Sequence, residues 1–157
     1  MLRISSPAFQ DNQSIPREYT ADGANRSPPL QWVGTPPATR SFALIVDDPD
    51  APDPRAPART WVHWVVYDIP ADTCALPAAL RERDFPAGMH AGLNDWQRAA
   101  YDGPAPPTGR HRYFHKLYAL DVVLPDLAHP TKAQLLRAMK GHVLAESQLI
   151  GVYESGR

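Results

Sequence analysis

The sequence predicts a mainly β protein built of two packed layers, and three stretches predict it. Phe42 to Val46 is a continuous apolar run, too short for a typical helix and containing β-branched residues, which marks a buried strand. TWVHWVVYDIP alternates, with Trp61, His63, Val65 and Tyr67 on one face and Val62, Trp64 and Val66 on the other. Apolar residues on both faces belong to a central strand of a two-layer β structure. HRYFHKLYALDVVLP forms a third, long strand: His111, Tyr113, His115, Leu117 and Ala119 share one face, and Arg112, Phe114, Lys116, Tyr118 and Leu120 the other.

Composition bounds what such a protein can do. The 157 residues suit one domain, 1–157, with an ordinary core. Sixteen Lys and Arg against 17 Asp and Glu give a formal net charge of −1. That balance offers no general attraction to nucleic acid or to an anionic membrane, so any anion recognition is local. Cys74 is the only cysteine, which rules out an internal disulfide, and nothing asks for an oxidising compartment. MLRISSPAFQDNQSIP lacks the uninterrupted apolar segment of roughly 7–15 residues found in secretory signals, and no run approaches the ~20 residues of a membrane span. The expectation is a cytoplasmic protein without stable membrane insertion. Its 18 prolines, about twice the usual frequency, fall in short clusters between apolar runs, the pattern of an ordered, loop-rich chain.

Taken in order, residues 1–40 carry turn chemistry, Asp22-Gly23 and Ser27-Pro28-Pro29, between short extended pieces. The strand at 42–46 ends in acid: Asp48 precedes Pro49, which biases it toward an extended conformation, and Asp50 follows. His63 is the anomaly of the next strand, since a histidine in a core strand is most often a satisfied structural group. Residues 71–84 are polar, with one short helical turn at LPAALRERD, and 85–100 read as a loop or weak strand. HPTKAQLLRAMKG is the best helix: Thr131 and Gln134 fit a capping box, Leu135, Leu136 and Met139 form an apolar stripe, and Gly141 is placed to stop it. HVLAESQLIGVYE then closes the chain as a strand. His90, His129 and His142 receive no role.

The functional candidates gather around Tyr101 to Asp121, YDGPAPPTGRHRYFHKLYALD. Gly103 and Gly109 permit unusual backbone shapes, while Pro104, Pro106 and Pro107 fix φ and remove amide donors, so the loop is stiff. The remaining amides, from Gly103, Ala105, Thr108, Gly109 and Arg110, suit an anion if they face one concavity. Together with Asp48, Asp50, His63, His111 and Tyr113, four chemistries are open. Two imidazoles and a carboxylate can hold zinc or non-haem iron, but none of the close spacings of metal motifs is present. Ser27, Ser41 or Thr60 can serve as a nucleophile, but no serine lies in a GxSxG-like elbow. A hydrogen-bonded anion pocket fits the residue types better, with Trp61 and Tyr113 as walls. General acid–base work on a bound phosphate by the same His and Asp pairs is the fourth, and the sequence alone does not separate it from the third.

The stretches IPREYTADGANRSPPLQW, SFALIVDDPDAP, WVHWVVYDIP, GLNDW, YDGPAPPTGRHRYFHKLYALD and GHVLAESQLIGVYE cover nearly the whole chain. In combination they resemble the phosphatidylethanolamine-binding protein family, and within it the short bacterial branch of Raf-kinase-inhibitor-like proteins. The resemblance implies a β fold of two antiparallel sheets of Greek-key type with a few short peripheral helices, and a pocket for phosphate, carboxylate or a phosphoethanolamine-like group. Position by position, that pocket comprises Asp48, Asp50, Trp61, His63, Gly103, Pro104, Pro106, Pro107, His111 and Tyr113, with no metal and no cofactor. It further implies a non-enzymatic regulatory binding protein acting through its ligand or a phosphorylated partner, a cis peptide near Arg59-Thr60, and a homodimer in which a partner subunit covers the edge that a terminal helix covers in eukaryotic members. Two alternatives stay open: a phosphate-ester hydrolase using the same pocket, and a protein-interaction regulator whose pocket is vestigial. Three positions depart from the family pattern. Ala105 stands where many bacterial members place cysteine, His115 where an apolar residue is expected, and Arg110 adds a cation beside His111.

Overall fold

The computed structural model describes residues 1–155. Among these residues nine strands form two sheets: β1 (Arg3–Ser5), β2 (Gln13–Ser14), β3 (Leu30–Val33), β4 (Ser41–Ala51), β5 (Arg59–Pro70), β6 (Ala75–Leu76), β7 (His90–Ala91), β8 (His111–Leu120) and β9 (Val143–Tyr153). The small sheet runs β1-β3-β6 and the large one β2-β9-β8-β4-β5-β7. Pairing is antiparallel throughout except at Gln13–Ser14, which lies parallel to Gly151–Val152. Single 3-10 turns occur at Arg17–Tyr19 and Glu82–Asp84, and α1 spans Lys132–Met139.

β4 lies between β5 and β8, which explains its almost wholly buried pattern. Phe42, Leu44 and Val46 pack with Trp32, Trp64 and Leu117 beneath the small sheet. Ala43 and Ile45 face the other way, onto Leu135 and Met139 of α1. The large sheet is therefore covered on both faces, and apolar residues on successive positions follow from that. Thr131 Oγ1 accepts the Gln134 amide at 3.2 Å and Gln134 Oε1 the Thr131 amide at 2.9 Å, a complete capping box. Of the expected stripe, Leu135 and Met139 are buried while Leu136 is exposed.

The alternation expected for β5 holds only in part. Val46 opposes Trp64 and Asp47 opposes Val62, so His63 is the extra residue of a β-bulge. The bulge resets the faces. Val62 joins Val65 and Tyr67 in the α1 layer, whereas Trp64 and Val66 lie beneath the small sheet. His63 is thereby separated from Val65 and Tyr67 and turned toward Tyr113, ring centroids 5.2 Å apart. The peptide bond before Thr60 is trans. Among the described residues the cis bond is Ala51–Pro52, an X–Pro bond, where the tertiary amide weakens the preference for trans. No helix among these residues is long and apolar enough to cross a membrane.

Candidate functional site

A cavity of about 320 Å³ opens where the ends of β4, β5 and β8 meet the Pro-rich loop. β4 contributes Asp48 and Ala51, β5 contributes Arg59, Trp61 and His63, and β8 contributes His111 and Tyr113. Ala105, Pro106 and Pro107 roof it from the loop, and Trp96 and Pro52 complete the wall.

The Asp48–His111 pair is fully engaged with the protein. Asp48 Oδ2 lies 2.6 Å from His111 Nδ1, and its Oδ1 accepts the Asp50 amide at 2.7 Å. His111 Nε2 lies 2.8 Å from the carbonyl oxygen of Thr108. Both ring nitrogens thus face acceptors, an arrangement that two N–H donors satisfy. No N–H of His111 is left for a ligand, so its place in the pocket is not that of a donor to a bound anion. The ring instead clamps the loop and forms part of the wall, stacked 6.3 Å from Tyr113.

His63 is built differently. Its Nδ1 lies 2.6 Å from the carbonyl oxygen of Asp102, which only a protonated Nδ1 can satisfy, and Nε2 has no hydrogen-bond partner among the described residues. The ring is 3 % exposed and held edge-on between Trp96 and Tyr113, at 5.1 and 5.2 Å. Burial pushes its pKa below the ordinary histidine value, against the opposing pull of the Asp102 carbonyl and of Asp48, Asp102 and Asp47. Asn94 sets this geometry from behind. Its Nδ2 donates to Asp102 Oδ2 at 2.7 Å and to the Ala100 carbonyl at 2.8 Å, while its Oδ1 accepts the amides of Trp96 and Arg98.

Tyr113 is buried, and burial followed by the negative charge of Asp48 raises its phenol well above the usual value, so its hydroxyl remains a donor. That hydroxyl also lacks a partner among the described residues. At the mouth the exposed Arg59 guanidinium lies 5.8 Å from the Trp61 ring centroid and makes no ion pair with a described residue. Trp61 in turn meets Trp96 edge-on at 5.4 Å.

Three residues expected at the site stand behind it. Asp50 turns away to Arg112, taking Nε at 3.0 Å and an Nη at 2.9 Å, and the guanidinium holds its carboxyl below the usual range. It orients no histidine. Gly103 donates its amide to Asn25 Oδ1 at 2.7 Å, so that donor is spent, and the Pro104 carbonyl accepts from Ala21 at 2.9 Å. Of the amides expected to cradle an anion, only that of Ala105 belongs to a residue on the wall. Arg59 and Trp96 were not foreseen. Arg59 lies two positions before Trp61 and therefore on its face of the strand, a usable signal; Trp96 comes from an irregular loop, and its signal is its place at the end of the GLNDW stretch.

The other chemistries find less support in this geometry. Among the described residues no three His, Cys, Asp or Glu side chains are grouped to hold a metal ion. Ser27 Oγ accepts the Leu80 amide and Ser41 Oγ donates to the Val122 carbonyl, both away from the cavity.

Comparison with known proteins agrees with this architecture. The profile of the phosphatidylethanolamine-binding protein family matches residues 5–154. The UPF0098 protein of Methanothermobacter thermautotrophicus is 46% identical over 156 residues, 99% of this chain and all of that one. A crystal structure of a phosphatidylethanolamine-binding protein homologue from Chlamydia trachomatis superposes with a TM-score of 0.90 at 37% identity, covering 99% and 98% of the two chains. Escherichia coli YbcL, described as a new member of the mammalian family, superposes at 0.88 with 30% identity over 99% of both chains. The chain belongs to the phosphatidylethanolamine-binding protein family.

Proposed function

We propose that the protein binds a small anion, a phosphoryl or carboxylate group, in the cavity between β4, β5, β8 and the 103–109 loop, and acts in the cytoplasm as a regulatory binding protein. The observation that carries this reading is the set of unpaired polar groups on one apolar wall. His63 Nε2, the Tyr113 hydroxyl and the Arg59 guanidinium have no partner among the described residues, while Asp48 and His111 beside them are engaged by the protein. A small site with a few convergent polar groups is the usual form of a ligand pocket. The volume suits a headgroup-sized ligand, either free or displayed on a partner protein.

A second reading, hydrolysis of a phosphate ester, is favoured by one feature: burial keeps His63 Nε2 unprotonated, the state a general base needs. One experiment separates the two. The ring signals of His63 and Tyr113 are followed by NMR during addition of phosphate, acetate and phosphoethanolamine, with phosphorus signals recorded in the same tube. Saturable ring shifts with the ester intact support binding. Release of inorganic phosphate that His63→Ala abolishes supports the enzyme, and unmoved rings sink both.

A further inference from the structure

A second cavity, of about 330 Å³, is lined in part by residues 98–101, none of which lines the first. Its walls carry three arginines, Arg26, Arg81 and Arg98. Neither Arg26 nor Arg81 makes an ion pair with a described residue, and Arg98 reaches only Asp102, at 3.6 Å. Glu82, the one carboxylate lining this cavity, is drawn to His129 at 3.1 Å. In a chain of net charge −1 this is a local excess of uncompensated positive charge. The floor is aromatic. Trp64 and Tyr101, buried and meeting edge-on at 5.5 Å, back it, and the half-buried Phe85 presents its ring to the cavity. The Tyr101 hydroxyl is already spent on the Tyr19 carbonyl at 2.6 Å, so Phe85 offers apolar surface and the arginines supply the polar recognition.

We propose that this cavity is a second binding site, for an aromatic phosphate monoester: a dianion held by Arg26, Arg81 and Arg98, with its ring on the half-buried Phe85. Guanidinium forks match the oxygens of a phosphate, and offset or edge-on aromatic contact suits a flat apolar body. The site is distinct from the first cavity, yet hydrogen bonds and an ion pair link the two. Arg98 touches Asp102, whose carbonyl holds His63 Nδ1, and Asn25, which lines the second cavity, holds the Gly103 amide at the base of the loop.

The test is an NMR titration with phenyl phosphate, inorganic phosphate and benzoate, reading the amides of Ala79 and Ala99 for the second cavity and the His63 ring for the first. Phenyl phosphate is expected to shift Ala79 and Ala99 saturably, and to do so equally in His63→Ala. The double variant Arg26→Ala/Arg81→Ala is expected to weaken that shift at least about tenfold, the loss of charge-assisted hydrogen bonds, without unfolding, since both side chains are exposed. Inorganic phosphate, lacking the ring, and benzoate, lacking the second charge, are expected to bind more weakly. Absence of shifts at Ala79 and Ala99, shifts that survive the double variant, or shifts lost with His63 would each overturn the proposal. Equal response to inorganic phosphate would remove the aromatic specificity.

Discussion

At the scale of single residues, the two histidines of the cavity show how hydrogen bonding divides roles between identical side chains. His111 gives both nitrogens to the protein, whereas His63 gives one and keeps the other facing the cavity. The types and strand positions of these residues were legible because period-two spacing places His111 and Tyr113 together. Their division of labour was not, because it depends on two backbone carbonyls, Asp102 and Thr108, that carry no signature in a sequence. A pH dependence follows. Free His63 is neutral through most of the working range because burial lowers its pKa, and an anion at Nε2 favours the cation, so binding takes up a proton. Acetate, which does not itself titrate above about pH 6, is expected to bind less tightly as pH rises, approaching about tenfold per pH unit once both free and bound pKa values bracket the pH. His63→Gln is expected to flatten that profile. An affinity for acetate in the native protein that is constant from pH 6 to 8 would show that His63 does not donate to the anion.

At the scale of elements, local signals were readable and irregularities were not. The capping box of α1 is written within four residues, and it formed as expected. The bulge at His63 arises from the register between β4 and β5, a non-local property, so strict alternation misassigned the faces around it. The Pro-rich loop lies between these cases. Its stiffness was evident, but Gly103 serves close packing and not a turn or an anion: a Cβ there would lie 2.5 Å from the Tyr19 carbonyl oxygen and 2.8 Å from Asn25 Oδ1. Gly103→Ala is therefore expected to cost about 2 kcal/mol in urea denaturation, as overpacking does, and to move the His63 ring signals through Asp102. Leu135→Ala, on the opposite face of the large sheet, is expected to cost about 3 kcal/mol by loss of buried volume while leaving ligand affinity unchanged. If Leu135→Ala weakened binding as much as Gly103→Ala did, the loop would not be the element that seats the site.

At the scale of the whole molecule, the large sheet separates two apolar layers, and the layer beneath the small sheet also holds buried histidines. His115 stands where the family resemblance led to the expectation of an apolar residue. It is 1 % exposed, lies 5.6 Å from the Phe9 ring, and has its Nδ1 3.1 Å from the Leu149 carbonyl. Burial pushes its pKa down to about 4, with the Leu149 and Tyr113 carbonyls and Asp47 opposing and His63 reinforcing the shift. The unfolded chain binds this proton near pH 6.5 and the folded chain only near 4, so the unfolded state holds more protons in between. Stability is then fully present above about pH 6.5 and lost as pH falls toward 4, by roughly 3 kcal/mol from this one group. His63, also depressed, adds to the same acid limb. Urea denaturation of the native protein and of His115→Leu at steps from pH 7 to 4 isolates the contribution, because every other titrating group is common to the two curves. The variant loses the bond to Leu149 at every pH but gains no proton on unfolding, so its deficit at pH 7 is expected to shrink and then reverse toward pH 4. Parallel curves would mean that His115 titrates alike in the folded and unfolded chain, which its burial between the two sheets does not allow.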